Sequence, residues 1–292
     1  MTKCIPSKCG TQAACSSCKS HPGAVTVDTV REDTLKETLG RIKHTLFVVS
    51  GKGGVGKSAV TVNLAVALAN KGYKVGILDV DMHGPSVPSL LGLDGHVAAK
   101  DEETLVPPYY KEKIAVVSMD SLLQDRDTAI IWRGPKKTAA INQFLSGVAW
   151  NDLDFLLIDS PPGTGDEHLA VLKAIPEAKC VMVTTPQEIS LADVRKALHF
   201  LKRVNANTLG LIENMSGLSC PHCGKDIDLF SFGGGEKLAT AKKIPFLGRI
   251  PIDPAMLAAA DRKQPVVDIP GDFPAKSAFM GIADAVLRLL RN

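Results

Sequence analysis

Aromatic side chains are scarce in this sequence: two Trp, three Tyr and nine Phe make up 5% of its 292 residues. A core of ordinary size must then come from Val, Ile, Leu and Ala, a composition that suits alternating strands and helices. Excess charge is also missing. Lys and Arg number 34 against 31 Asp and Glu, leaving a formal net charge of +3, and no basic run is dense enough to track a phosphate backbone. Nucleic acid is not an expected partner. Long apolar runs are absent too. The first residues, MTKCIPSKCG, lack the apolar stretch of a secretory signal, and no segment approaches the length of a membrane-spanning helix. The expectation is a cytoplasmic protein with no membrane partner. Hydrophobic content of 45% against 22% charged residues excludes wholesale disorder, and the length allows one large core or two ordinary domains.

What is present divides the chain in two. Residues 1–42 form a cysteine-rich extension and a linker; residues 43–292 carry the pattern of one large domain. The first 23 residues show no apolar periodicity and need a metal to be ordered, while Leu35, Leu39 and Ile42 follow at helical spacing. Beyond them, short apolar runs alternate with helical patterns: Leu46 to Val49, Val75 to Leu78, Ile114 to Val117, Phe155 to Ile158, Cys180 to Val183, Leu209 to Ile212 and Phe246 to Ile250. Such spacing predicts an α/β fold, a mostly parallel sheet with helices on both faces and ligands at the carboxyl ends of the strands. The stretch Phe279 to Leu290 reads as a core helix, with too few lysines for a membrane anchor.

The first strand runs into Gly51-Lys52-Gly53-Gly54-Val55-Gly56-Lys57-Ser58 and then into a helix patterned by Val60, Leu64, Ala67 and Leu68. Glycines let backbone N–H groups turn around an anion, and the helix N-terminus adds its positive end. ATP is the expected ligand, with Lys57 on the β and γ phosphates and the Ser58 hydroxyl on Mg²⁺. Asp159, closing the apolar strand Phe155 to Ile158, is the second candidate for the Mg²⁺ shell. The loop Pro161 to Asp166 follows it where a nucleotide-sensing switch would sit. Asp79 and Asp81 end another strand at the same edge; Asp81 is the candidate for positioning the attacking water and Asp79 for support near Mg²⁺. His83 reads as a solvated loop residue.

Seven cysteines fall into a group of four, a pair and a singleton. In a reducing compartment that pattern points to metal chemistry rather than disulfides. Cys180, inside an apolar run, reads as a buried strand residue. Cys220 and Cys223 place two thiolates on one tight turn, enough to grip one edge of a site but not to complete it. The same turn of a second subunit across a two-fold axis would supply the missing pair. Spacing alone suits Zn²⁺ or an iron–sulfur cluster equally. Cys4, Cys9, Cys15 and Cys18 give four thiolates in one subunit, which suits a [4Fe–4S] cluster, with Zn²⁺ as the runner-up. Neither His21 nor His222 is needed as a ligand.

Eight motifs occur in order: GKGGVGKS, LDVDMHGPS, WRGP at 132–135, LLIDSPPGTGDEHL, IENMSG, CPHCG, FGGGEKLA and GRIPIDP. Together they resemble the deviant-Walker ATPases related to MinD and ParA, and within them the Mrp/ApbC family of iron–sulfur cluster carriers, over roughly residues 43–291. The resemblance implies a P-loop NTPase fold and slow ATP hydrolysis in a homodimer formed through the ATP face. It implies that Lys52 crosses to the partner's nucleotide, that Asn214 recognises adenine and that the loop after Pro251 lines the base. It also implies a [4Fe–4S] cluster bridged by the paired CxxC motifs and passed to apo iron–sulfur proteins. Two departures stand out. Lys136 follows WRGP where many members have Met, and the extension matches that of eukaryotic cytosolic relatives in cysteine number but not in spacing. The alternatives are a MinD/ParA-like positioning ATPase, which leaves CPHCG unexplained, and a zinc-stabilised regulatory ATPase.

Overall fold

The apolar run Leu46 to Val49 extends in both directions into strand β1 (Ile42–Ser50), between helices α1 (Val27–Gly40) and α2 (Lys57–Asn70). The computed structural model describes residues 27–82, 84–94, 97–100, 104–122, 134–219, 223, 225–227 and 229–291. After α2 come β2 (Val75–Asp79), α3 (Val87–Leu91) and three short strands, β3 (Ala98–Ala99), β4 (Leu105–Val106) and β5 (Tyr109–Tyr110). Next are β6 (Ile114–Ser118), α4 (Gly134–Gly147), β7 (Leu153–Asp159), α5 (Asp166–Ala174), β8 (Lys179–Thr184), α6 (Glu188–Arg203) and β9 (Asn207–Glu213). A hairpin of β10 (Leu218–Ser219) and β11 (Asp226–Ile227) precedes α7 (Gly234–Lys242), β12 (Phe246–Arg249), α8 (Pro254–Asp261) and α9 (Pro274–Arg291).

Among the described residues, eight strands make one sheet in the order β12-β9-β8-β1-β7-β2-β6-β5. Every neighbouring pair is parallel except β5 with β6, so the expected mostly parallel sheet is observed with one short antiparallel edge. Strand side chains alternate between two apolar layers, as the two-residue period requires. Leu46 and Val48 of β1 join one layer, with α2, α8 and α9; Phe47 and Val49 join the other, with α4, α5, α6 and α7. Both faces of each central strand are thereby covered, which accounts for runs that are apolar without alternation.

Helix α2 is buried almost all round, from Val60 to Ala69, because it lies between the sheet and α9. Helix α9 buries Ala275, Phe279, Ile282, Ala283 and Val286, one stripe at helical spacing. Truncating the fully buried Phe279 to Ala would cost about 3–5 kcal/mol. Its apolar face is turned to the core, as expected for Phe279 to Leu290, and no helix among the described residues is long and apolar enough to cross a membrane.

Helical spacing predicts Leu35, Leu39 and Ile42 on one helix. The structure ends α1 at Gly40 and places Ile42 in β1, opposite Leu153 of β7. All three side chains still pack on the same apolar layer, so the burial holds while the element changes.

Candidate functional site

Strand β1 delivers the chain to Ser50 at the carboxyl edge of the sheet, and the glycine-rich loop turns there before α2 begins at Lys57. Gly54 and Gly56 adopt φ values of 78° and 79°, the left-handed region that favours glycine. Gly51 is required by proximity instead: a Cβ there would meet the Asp193 backbone carbon of α6 at 2.5 Å. The loop encloses a cavity of about 350 Å³, completed by Asp81 and Ser86 from the β2–α3 connection and by Pro162. A curl of backbone at a helix N-terminus, with glycines at its left-handed turns, has the shape and polarity of a phosphate cradle.

Behind the cradle a charged cluster is buried. Lys57 Nζ lies 2.8 Å from Asp159 Oδ2, with the two side chains 7% and 0% exposed. The Ser58 hydroxyl donates to the same oxygen at 2.5 Å, and the Thr61 hydroxyl donates to Asp159 Oδ1 at 2.6 Å. Parallel pairing sets Asp79 of β2 opposite Asp159 of β7. Asp79 is fully buried, and its carboxylate accepts N–H bonds from Asp81 at 3.0 Å, Ser86 at 3.1 Å and Val87 at 3.2 Å. Burial, and then the neighbouring Asp159 charge, pushes Asp79 up to about 8. In this arrangement Asp79 braces the start of α3. Asp81 lines the cavity and accepts the Gly84 N–H at 3.3 Å. Lys52, half-buried on the cavity wall, makes no ion pair among the described residues.

Asn214 does not line the cavity. Its Nδ2 donates to the Val55 carbonyl at 2.9 Å from behind the loop, and a Cβ on Gly56 would lie 2.4 Å from that nitrogen. In this structure the carboxamide is bonded to the phosphate loop.

The loop after Asp159 crosses back to β1, where the Gly163 N–H donates to the Ser50 carbonyl at 3.2 Å. Lys137 of α4 and Glu167 of α5 form a mostly buried pair at 2.5 Å that fixes the end of this loop. His168, 1% exposed, accepts the Gly165 N–H on Nδ1 at 3.2 Å and packs its ring against Phe47 and Phe200. Desolvation on burial pushes this imidazole down to about 4, so it is neutral around pH 7. Sequence reasoning missed His168 and the Lys137–Glu167 pair, which nothing in their local pattern announces. Thr61 had a signal, since it lies one helical turn after Lys57.

Strand β9 ends at the same edge in Glu213, which is fully buried. Its carboxylate accepts the Ser216 hydroxyl at 2.5 Å, the Gly233 N–H at 2.8 Å and the Gly235 N–H at the start of α7. A few residues on, the chain pairs Leu218 with Ile227 and Ser219 with Asp226 in the β10–β11 hairpin. Cys223 is exposed. Around the hairpin, Ile227, Leu229, Phe230 and Phe232 are 37–64% exposed. Cys220 lies outside the described residues, as do Cys4, Cys9, Cys15 and Cys18. Among the described residues no cluster of three or more His, Cys, Asp or Glu could hold a metal. Cys180 is buried, with its thiol pushed up to about 12 by desolvation, as suits an inert strand residue.

The chain is similar to known proteins along most of its length. A family model described as "ParA: NUBPL iron-transfer P-loop NTPase" matches residues 41–287. A protein of Aedes aegypti named cytosolic Fe-S cluster assembly factor Nubp2 homolog is 49% identical over 253 residues, 85% of this chain and 98% of that one. An iron-sulfur cluster carrier protein of Methanocaldococcus jannaschii is 46% identical over 261 residues, 89% of each. Among solved structures, a nucleotide-binding protein from Archaeoglobus fulgidus in complex with ADP matches with a TM-score of 0.72 at 41% identity, covering 82% of this chain and 94% of that one.

Proposed function

The chain belongs to the NUBPL iron-transfer P-loop NTPases of the ParA group, and from that premise we propose that it is a cytoplasmic ATP-dependent carrier that binds [4Fe–4S] clusters and passes them to apo-proteins. The observation that supports this reading is that the phosphate cradle follows β1 and the hairpin bearing Cys223 follows β9, at one edge of the sheet.

Mg·ATP fits the residues present. Ser58 and Asp159 bring hydroxyl and carboxylate oxygens to one point beside the cradle, the hard donors that Mg²⁺ selects. Bound there, Mg²⁺ would neutralise phosphate charge as the terminal phosphoryl group departs. The chain's own groups do the rest. The N–H groups of Gly51 to Ser58 bind the phosphates, and Lys57 turns from Asp159 to the β and γ oxygens. Asp159 would then face the metal, steadied by Thr61, with Asp79 on the next strand supporting the site from behind. Asp81, on the cavity wall, orients the attacking water. Lys52 is free to reach a nucleotide bound by a second copy, where its charge acts as an arginine finger does.

Cys220 and Cys223 supply two thiolates, and a second copy across a two-fold axis completes the four that a [4Fe–4S] cluster takes. The exposed apolar residues beside the hairpin suit such an interface. Cys4, Cys9, Cys15 and Cys18 hold a separate cluster, and metal binding is the source of order for residues 1–23. A membrane-positioning role is disfavoured, because the apolar face of α9 is already buried in the core. Anaerobic purification followed by iron, zinc and acid-labile sulfide assays tests the reading. Iron with matching sulfide is expected; stoichiometric zinc without sulfide would replace the carrier with a zinc-stabilised ATPase.

A further inference from the structure

The phosphate loop and the hairpin are joined by a short run of chain, residues 213–218, bonded along its length to neighbouring elements. Glu213 closes β9 and is held by Ser216 and by the first N–H groups of α7. Asn214 follows, its backbone N–H on the Thr184 carbonyl of β8 at 2.7 Å and its side chain on Val55 of the phosphate loop at 2.9 Å. Contact with Gly56 leaves no slack, since even a methyl group there would collide with the carboxamide. Met215 takes a φ of 55°, turning the chain away from the sheet. The Ser216 N–H then donates to the Ile250 carbonyl at 2.9 Å, the Ile252 N–H donates to the Gly217 carbonyl at 2.8 Å, and Leu218 bridges Ile252 before entering β10.

We propose that Asn214 is a positioning residue that couples the phosphate loop to the cysteine hairpin. Phosphate draws the loop's N–H groups inward, and the Val55–Gly56 peptide shifts with them. The carboxamide, bonded to one of these residues and pressed against the other, carries that shift into residues 214–218 and so into the orientation of β10 and β11. Backbone bonds to β8 and to the β12–α8 connection make the run a lever rather than a slack tether. Coupling between binding sites is reciprocal, so a cluster that holds the hairpin in one orientation must alter nucleotide affinity by the same factor, about 5- to 150-fold in coupled systems generally. The purpose of the lever rests on the carrier reading, whereas its geometry does not.

Backbone amide exchange in the full-length, cluster-free protein tests the lever. ADP is the probe, at a protein concentration where light scattering shows monomers, so that dimer formation contributes nothing. Saturating ADP should change exchange across residues 218–227 severalfold in the unaltered protein. In Asn214→Ala, also saturated, the loop amides should still respond and the hairpin should not. Ser216→Ala, which removes only the hydroxyl bonded to Glu213, should weaken the hairpin response, and it decides the question if Asn214→Ala fails to hold nucleotide. A hairpin response of unaltered size in the variants, or none in the unaltered protein while its loop amides are protected, overturns the proposal. No cluster enters the experiment, so this outcome is separate from the iron and sulfide assay that tests the carrier reading.

Discussion

The phosphate loop and the cysteine hairpin share an edge of the sheet but not a manner of construction. The loop is backed by Lys57, Asp159 and Thr61, all buried, and by a helix packed on nearly every side. The hairpin has two paired residues in each strand, an exposed Cys223 and exposed apolar neighbours. The phosphate cradle is preorganised within one subunit. The second, on the reading proposed above, is half a site that another copy completes. Damage to the first should therefore reach the whole fold, and damage to the second should stay local.

Lys57→Ala is the strongest test of that contrast. It removes the main cation for the phosphates and leaves the Asp159 carboxylate buried without its ion-pair partner, a change that costs about 3–5 kcal/mol in comparable buried pairs. Denaturant melts should show the loss in stability and nucleotide titration the loss of ATP binding. Tight binding by this variant would mean the site lies elsewhere.

An intermediate effect belongs to His168 beneath the loop from Pro161 to Asp166. Its folded value of about 4 lies below its ordinary 6.5, because burial disfavours the charged ring. The unfolded chain therefore takes up the proton first as pH falls. Stability contributed by the neutral ring is fully present above about pH 6.5 and is lost as pH falls to about 4, at about 1.4 kcal/mol per pH unit. His168→Phe, which keeps a ring between Phe47 and Phe200, should flatten that acid limb in melts at a series of pH values. An unchanged slope would assign the acid sensitivity to other groups.

Asp81→Ala touches chemistry more than fold. ATP binding should persist while turnover falls about a hundredfold, the lower range for loss of a group that orients and deprotonates a nucleophile. Unaltered steady-state phosphate release would remove Asp81 from that role. At the far end of the scale, replacing the exposed Cys223 with Ala should change the stability of the cluster-free protein by no more than about 0.5 kcal/mol.

The same contrast governs what the sequence could show. Continuous apolar runs place the central strands, because a doubly covered sheet leaves no polar alternation. The antiparallel edge at Tyr109–Tyr110 is two residues long and carries no periodicity, so it emerges only from pairing with β6. The phosphate loop is legible because its chemistry depends on contiguous glycines, a lysine and a serine. The support of Val55 by Asn214 is not, since 159 residues separate them and only folding brings them together. The CxxC pair announces ligands, yet nothing near it predicts the buried Glu213 that ties the chain before it to α7. Local motifs report what binds; the long-range contacts that link one binding event to another become visible only in the fold.

The central claim is that the hairpin cysteines of two subunits share one cluster, held apart from the residues that bind the nucleotide. Iron and acid-labile sulfide per subunit, measured on anaerobically purified protein with and without Cys220→Ala and Cys223→Ala, test it most directly. The account predicts that the double variant loses only the bridging share of iron and sulfide, weakens as a dimer and still binds ATP. Iron unchanged by the substitutions, or zinc without sulfide in the unaltered protein, would contradict it.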